Sequence, residues 1–403
     1  MTETVAVEST APRRGSVLEV LWVALRLGLT SFGGPIAHLG YFRHEYVERR
    51  RWLDEHSYAD LVALCQFLPG PASSQLGIAI GTRRAGKLGG VAAWLGFTLP
   101  SAIALVLFGL ATGSVDLSTA GWVHGLKLAA VAIVAHAVYL MARSLTPDWP
   151  RRVVAVLAAA VSLAWATTFS QVAIIAAGAL IGRFLLAPPT ARSTGPEESP
   201  VSRRVGVLAL GLFFALLLGL PALGVVGGHP LAFFEAFYRA GSLVFGGGHV
   251  VLPILHSSVV DPGWVTDDQF LAGYGAAQAV PGPLFTFAAY LGTVSAIPPN
   301  GVAGATIALV AIFLPSFLLI FGALPFWDQL RTSAGFRRAL SGTNAAVVGI
   351  LLTALITPVW TSAVAGPLDV IIAALGLAFL LTGQVPPIAV VALSALLGQL
   401  VAL

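Results

Sequence analysis

The chain has 403 residues, of which 57% are hydrophobic and only 10% charged; soluble domains carry about 25% charged residues, so a soluble protein is excluded and a polytopic membrane protein is expected. The formal net charge of +4 does not argue for a nucleic-acid partner, because basic loops serve to orient membrane proteins. Cys65 is the single cysteine, which excludes an internal disulfide and a cysteine-based zinc site; no cofactor is expected.

Residues 1–16, MTETVAVESTAPRRGS, lack the apolar core of a cleavable signal and read as a cytoplasmic tail. Two apolar segments follow, 17–42 and 58–82, broken in the middle by FGGP (32–35) and by Pro69-Gly70-Pro71. Between them lies RHEYVERRR (43–51), and Arg83, Arg84 and Lys87 come directly after the second. Basic loops gather on the cytoplasmic side. Residues 13–14, 43–51 and 83–87 share that side only if each segment enters the membrane, turns at its break and leaves by the same face. Residues 58–68 make about 16 Å of helix at ~1.5 Å per residue, roughly half a bilayer. Spans near 88–112, 121–141, 152–168 and 170–187 then return the chain to the inside at a Pro/Ser-rich linker, 188–204.

A further span, 205–226, crosses outward, and beyond it the first half recurs over 227–403. Gln66, Pro69, Gly70 and Pro71 fall on Gln278, Pro281, Gly282 and Pro283 by adding 212, as Trp52 falls on Trp264. Arg26, Gly28, Phe32, Gly33 and Gly34 fall on Arg239, Gly241, Phe245, Gly246 and Gly247 by adding 213, and Leu99-Pro100-Ser101 falls on Leu314-Pro315-Ser316 by adding 215. Because span 205–226 has no counterpart, hairpins 231–256 and 268–294 enter from the opposite side. The expected fold is all-α and polytopic: a first repeat (17–187) and an inverted second repeat (227–403), whose broken, re-entrant hairpins meet near the membrane midplane. Spanning helices merely kinked at Pro and Gly are the alternative.

Broken backbone survives in hydrocarbon only where protein or water covers it. Pro71 and Pro283 suit the first position of a new helix, which leaves the amides of Ala72-Ser73-Ser74 and Leu284-Phe285-Thr286 as helix N-terminal donors for an anion. Gly33, Gly34, Gly246 and Gly247 admit a second backbone. Gln66 and Gln278 add amide donors, and Ser73, Ser74 and Thr286 add hydroxyls unless these bond back to their own helices. Three cations inside apolar segments join the candidates: Arg26 and Arg239, which are in register, and Lys127, an isolated ammonium. Snorkelling toward a membrane face is the alternative for the arginines, and reach to the outer surface is the alternative for Lys127. Glu19 and Glu235 are expected to pair with Arg26 and Arg239. His38 and His249 are candidates for proton coupling, with packed neutral imidazoles as the alternative. Trp52 and Trp264 suit the interface, while Asp54 and Thr266 look like helix caps, Thr266 with Gln269 as a capping box.

SFGGP (31–35), ERRRWL (48–53), ALCQFLPGPASSQLG (63–77), FGGGHVVLP (245–253) and AQAVPGP (277–283) together resemble the chromate ion transporter family in its long, two-domain form. The resemblance implies export of chromate across the cytoplasmic membrane, chromate resistance, and sulfate as a similar tetrahedral oxyanion. The family's FGG and PGP motifs map onto Phe32, Gly33 and Gly34 with Pro69, Gly70 and Pro71, and onto 245–247 with 281–283. The second half departs at Gly248, in place of Pro35, and at Leu284-Phe285, in place of Ala72-Ser73. The expected partners are the oxyanion, the lipid bilayer and a second copy in a homodimer. A transporter or channel for sulfate or another anion is the nearest alternative. A membrane-embedded lipid-modifying enzyme is the distant one, since the sequence has no HExxH, no metal-spaced acids and no nucleophile–base pair.

Overall fold

Proline, glycine and an interrupted apolar run turn each broken segment into two short helices. The computed structural model describes residues 15–32, 34–112, 121–165, 168–187, 199–244 and 250–401, with no strand among them. Helix α1 (Val17–Thr30) stops at Ser31, and α2 (Gly34–Phe42) restarts on Gly34 at φ 78°. A π-helix, Arg43–Arg49, leads to α3 (Glu55–Phe67), capped by Asp54, whose carboxylate accepts from the Ser57 amide at 2.8 Å. After the Pro-Gly-Pro break comes α4 (Ala72–Thr112), which leaves helical geometry at Ala85 and Gly86. Gly81 and Gly89 touch across that point, so 72–84 and 87–112 are separate helices folded against each other. The four arms α1, α2, α3 and 72–84 are about 14–21 Å long at 1.5 Å per residue, too short for ~30 Å of hydrocarbon.

Both hairpins leave by the face they entered. The Gly15 amide donates to the Arg84 carbonyl (3.0 Å), Glu19 pairs with Arg84 (3.1 Å) and Arg50 (3.9 Å), and both guanidiniums lie over the Trp52 ring. The start of α1, the loop at 50–52 and the turn at 84 therefore form one basic face, which is what the charge pattern required. Glu19 does not reach Arg26: it sits in the first turn of α1, and two further turns, about 10 Å, separate it from Arg26.

Five helices follow: 87–112, α5 (Gly121–Leu145), α6 (Trp149–Ala164), α7 (Thr168–Leu185) and α8 (Arg203–Val226), of which the one containing 87–112, α5 and α8 are long and apolar enough to cross a membrane. Arg151, at the start of α6, donates to the Ala187 carbonyl just past α7 (2.8 Å) and to Ser341 (2.6 Å), tying the start of α6 to the end of α7 and to α15. An odd number of helices between the two sets of arms turns the second half over relative to the first. There α9 (His229–Leu243), α10 (Val251–Val259), α11 (Asp267–Ala279) and α12 (Phe287–Val294) repeat the four arms. Trp264 repeats Trp52: its ring meets His229 at 4.7 Å and its carbonyl accepts from the Ala296 amide at 2.8 Å. Thr266 and Gln269 form the expected capping box. Helix α13 (Gly301–Ala323) crosses back and the short α14 (Trp327–Thr332) follows. Then α15 (Ala334–Ala354), α16 (Thr361–Ala363), α17 (Pro367–Leu381) and α18 (Pro387–Val401) close the bundle.

Packing repeats with the chain. In the first half Gly28 of α1 abuts the Phe97 carbonyl, and in the second Gly241 of α9 abuts the Ile312 carbonyl; Gly292 meets Gly304 as Gly81 meets Gly89. Small residues let membrane helices approach backbone to backbone, where dispersion rather than water exclusion drives association.

The basic face has a buried anchor. Glu45 is 5% exposed and accepts from Arg50 (2.7 Å) and Arg49 (3.0 Å). Burial pushes its carboxyl up, but the hydrogen bonds and charges of the two arginines outweigh it and hold the group below the ordinary carboxylate value. A carboxylate with a depressed folded value stabilises the fold above its unfolded pKa, about 4.3, and loses that contribution as pH falls through the folded value. Thermal stability in detergent is therefore expected to weaken below about pH 4.3 in wild type. The weakening should be smaller in Glu45→Gln, which should also be less stable at pH 7.

Candidate functional site

The breaks of one repeat close on the breaks of the other. The Gly70 amide, held between Pro69 and Pro71, donates to the carbonyl of Val244 at the end of α9 (2.6 Å). The Gly282 amide donates to the carbonyl of Ser31 at the end of α1 (2.9 Å). Gly282 is Gly70 plus 212 and Val244 is Ser31 plus 213, so each repeat gives the other the same bond. Both glycines lie in left-handed territory, φ 119° and 101°. Peptide groups freed by a helix break thus find partners across the repeat boundary, as a low-dielectric interior demands.

The Leu-Pro-Ser segments stand behind these glycines, again crosswise. Ser316 Oγ lies 3.1 Å from where a Cβ on Gly70 would stand, and Ser101 Oγ 2.8 Å from where one on Gly282 would stand. Gln75 donates from Nε2 to the Pro69 carbonyl (2.6 Å) and fixes the first break from inside. His38 bridges the two arms of the first half: Nε2 is 3.2 Å from the Ser31 carbonyl and Nδ1 is 3.2 Å from Ser73 Oγ. A carbonyl only accepts, so Nε2 carries a proton and donates to Ser31, while Nδ1 and the Ser73 hydroxyl share the second hydrogen bond. The Ser31 carbonyl is thereby shared by His38 and by Gly282 of the other repeat.

Polar atoms without partners collect at this crossing. Ser31 Oγ, Ser74 Oγ, Gln75 Oε1, Thr98 Oγ1, Ser316 Oγ and Gln278 Nε2 are buried and make no hydrogen bond. A buried polar atom left unpaired costs about 1–3 kcal/mol, so this group is a candidate place for a polar ligand. The first helical bond of α4 runs from the Gln75 amide to the Pro71 carbonyl (2.9 Å), so the amides of Ala72, Ser73 and Ser74 precede the ladder. At the second break Thr286 is not a free donor. Its amide (3.0 Å) and its hydroxyl (2.8 Å) both go to the Pro283 carbonyl, because the chain there starts as a 3-10 turn.

The charged candidates lie elsewhere. Lys127 is not isolated: Nζ pairs with Asp268 in the first turn of α11 at 2.7 Å. Arg239 pairs with Glu235 at 2.6 Å, one turn away, as the spacing predicted. Arg26 is exposed, on the face of α1 that also exposes Trp22 and Leu29. Gln66 is exposed on α3, Phe32 is half-buried, and Pro69, Pro71, Pro281 and Pro283 bracket the two glycines. Gly33, Gly246, Gly247 and His249 lie outside the described residues. No cluster of metal-binding side chains occurs among the described residues.

Sequence reasoning passed over Gln75, Ser31, Thr98, Ser101 and Ser316. The signal for the two Leu-Pro-Ser serines was present, since that motif recurs at a constant offset, but it was used only to align the repeats.

The profile of the chromate transporter family matches residues 18–183 and 231–399, one region in each repeat. A chromate transport protein of Pseudomonas aeruginosa is 30% identical over 341 residues, 81% of this chain and 77% of that protein. A chromate transport protein of Cupriavidus metallidurans is 29% identical over 82% of this chain and 80% of its own length. An uncharacterized transporter of Bacillus subtilis aligns with only 29% of this chain, at 30% identity over 59% of its own length. No solved structure matches at a significant level. With both repeats matched and most of the chain shared with named chromate transport proteins, the chain belongs to the chromate transporter family.

Proposed function

We propose that the protein is a secondary transporter that exports chromate, or a tetrahedral oxyanion like it, across the cytoplasmic membrane, and so confers chromate resistance. The reciprocal bonds Gly70–Val244 and Gly282–Ser31 carry this reading. They join hairpins that enter from opposite faces at one polar crossing, where helix N-terminal amides and unpaired hydroxyls collect. A rocking of one repeat against the other would expose that crossing to each side in turn. The competing class, an enzyme acting on lipid, gains nothing from the groove of about 290 Å³ beside α6 and α7. Its lining, including Val154, Trp165, Ile174 and Ala346, holds no acid, base or nucleophile.

Direction follows from charge. The basic residues of 43–51, 83–87, 143–152 and 331–338 contrast with Asp261, Asp267 and Asp268 between α10 and α11, and the positive-inside rule supports a cytoplasmic side for the basic loops and the N-terminus. A dianion leaving an inside-negative cell gains roughly 4.6 kcal/mol per 100 mV, enough to drive export without a coupled ion. Proton coupling through His38 would add to this.

Two measurements test the reading. In a Cys65→Ala background, a membrane-impermeant maleimide applied to intact cells should label Asp261→Cys and spare Lys87→Cys; the reverse pattern would overturn the orientation. Inside-out vesicles should accumulate labelled chromate when the potential is imposed, with excess sulfate as competitor. Sulfate inhibition would extend the substrate class, and flux no greater than in empty vesicles would remove chromate from it.

A further inference from the structure

The duplicated crossing offers two equivalent half-sites, one at Gly70 and one at Gly282, each backed by a serine from the opposite repeat. Matched position by matched position, they are not chemically equal. Ser73, Ser74 and Gln75 of the first break correspond to Phe285, Thr286 and Phe287 of the second. Ser74 Oγ is unpaired, whereas Thr286 Oγ1 is consumed by the Pro283 carbonyl. The same asymmetry recurs in the serines behind the breaks: Ser316 Oγ is unpaired, whereas Ser101 Oγ bonds the Thr98 carbonyl of its own helix at 3.1 Å. Ser74, Gln75 and Ser316 are all at most 1% exposed, too deep for bulk water to satisfy them.

We infer that the transporter holds one oxyanion, not two, at the Gly70 break, and that Ser316 of the second repeat is a specificity-determining ligand of that site. This rests on the oxyanion-transport reading and deepens it. The amides that open α4 and the hydroxyls of Ser74 and Ser316 are all hydrogen-bond donors, and an oxyanion oxygen accepts several such bonds. At the second break, Phe285 and Phe287 occupy the matching positions and are buried. That break closes the crossing and lends Ser316's repeat as a lever rather than binding charge. Because Ser316 comes from the opposite repeat, rocking the repeats apart moves it away from the amides that open α4, so affinity falls as the site opens. Binding and the conformational step are coupled by that one side chain.

The internal repeat supplies its own control. Equilibrium binding of labelled chromate and of labelled sulfate to purified protein should give an affinity about tenfold weaker for Ser316→Ala and for Ser74→Ala, the effect of one lost charge-assisted hydrogen bond. Ser101→Ala and Thr286→Val, their repeat mates, should bind within about twofold of wild type. In vesicles the same split should appear in KM, with maximal flux retained by Ser74→Ala. Ser316→Cys, which keeps the volume and a weak donor, should fall between wild type and Ser316→Ala, whereas a purely packing role would leave the cysteine variant at wild-type affinity. Equal losses in all four alanine and valine variants, a larger loss in Ser101→Ala, or two oxyanions bound per chain would overturn the one-site assignment. So would a wild type that binds neither anion. Binding with the predicted split but no potential-driven flux would leave the assignment standing and sink the export reading instead.

Discussion

Gly70→Ala and Gly282→Ala should each reduce oxyanion flux by more than about tenfold while the protein still reaches the membrane. Two costs add at these positions. Backbone at φ 119° or 101° strains a residue with a Cβ by about 1–3 kcal/mol, and the new methyl has nowhere to go. At Gly70 it would stand 2.6 Å from Gln75 Nε2 and 3.1 Å from Ser316 Oγ; at Gly282 it would stand 2.8 Å from Ser101 Oγ and 3.2 Å from the Phe97 carbonyl. Relief at Gly70 drives Gln75 Nε2 off the Pro69 carbonyl and presses on Ser316 of the other repeat; relief at Gly282 pushes the break away from the Phe97 backbone of the other repeat and strains the Gly282–Ser31 bond. Gly86→Ala separates the two effects. Gly86 also has a positive φ, 70°, but a Cβ there meets nothing within 4 Å, and the residue lies at the exposed turn on the basic face. It should lose some stability and keep its flux. Flux that survives Gly70→Ala unchanged would mean that the crossing is not where transport happens.

What the sequence discloses about this protein depends on whether the interaction is local, repeated or neither. The hairpins were legible because the charge of 43–51 conflicts with a simple zigzag, and because Pro-Gly-Pro cannot continue a helix wherever it falls. The inverted repeat was legible because a matched residue pair such as Gly70 and Gly282 carries its offset openly. The expected caps at Asp54 and Thr266 are contacts over three residues, and both formed. Lys127 was harder, since its partner Asp268 is 141 residues away and on the other repeat. Glu19 likewise turned to Arg84, 65 residues on, rather than along its own helix. Ser316 shows the same limit at the site. Its motif was visible, but a constant offset says which residues correspond, not which repeat each one faces, and here the serines cross over. The difference between Ser74 and Thr286 was hidden for another reason: a hydroxyl in the first turn either serves the ligand or bonds back, and only the local turn geometry decides.

Lys127→Met should impair the protein, and adding Asp268→Leu to it should restore most of what was lost. The ammonium is 10% exposed and the carboxylate 35%, so the pair is desolvated on one side only. Removing the lysine leaves a half-buried carboxylate without its partner, a loss of about 1–3 kcal/mol for a hydrogen bond between charged groups, at the lower end because Asp268 still sees solvent. Removing both charges together abolishes the uncompensated ion, and replacing a buried pair by apolar side chains is often neutral or better. The double variant also decides what Lys127 is for. Asp268 opens α11, the arm that leads to the Gly282 break, and Lys127 lies on α5, outside the hairpins. The pair therefore ties the hairpin to the surrounding bundle on the face opposite the basic loops. If that tie is its whole purpose, the double variant regains both thermal stability and chromate flux, with KM unchanged. If the ammonium instead meets the oxyanion during transport, stability returns in the double variant but KM stays high, because no cation is left to meet the anion. The ion pair as found, with Lys127 already satisfied at 2.7 Å, favours full recovery.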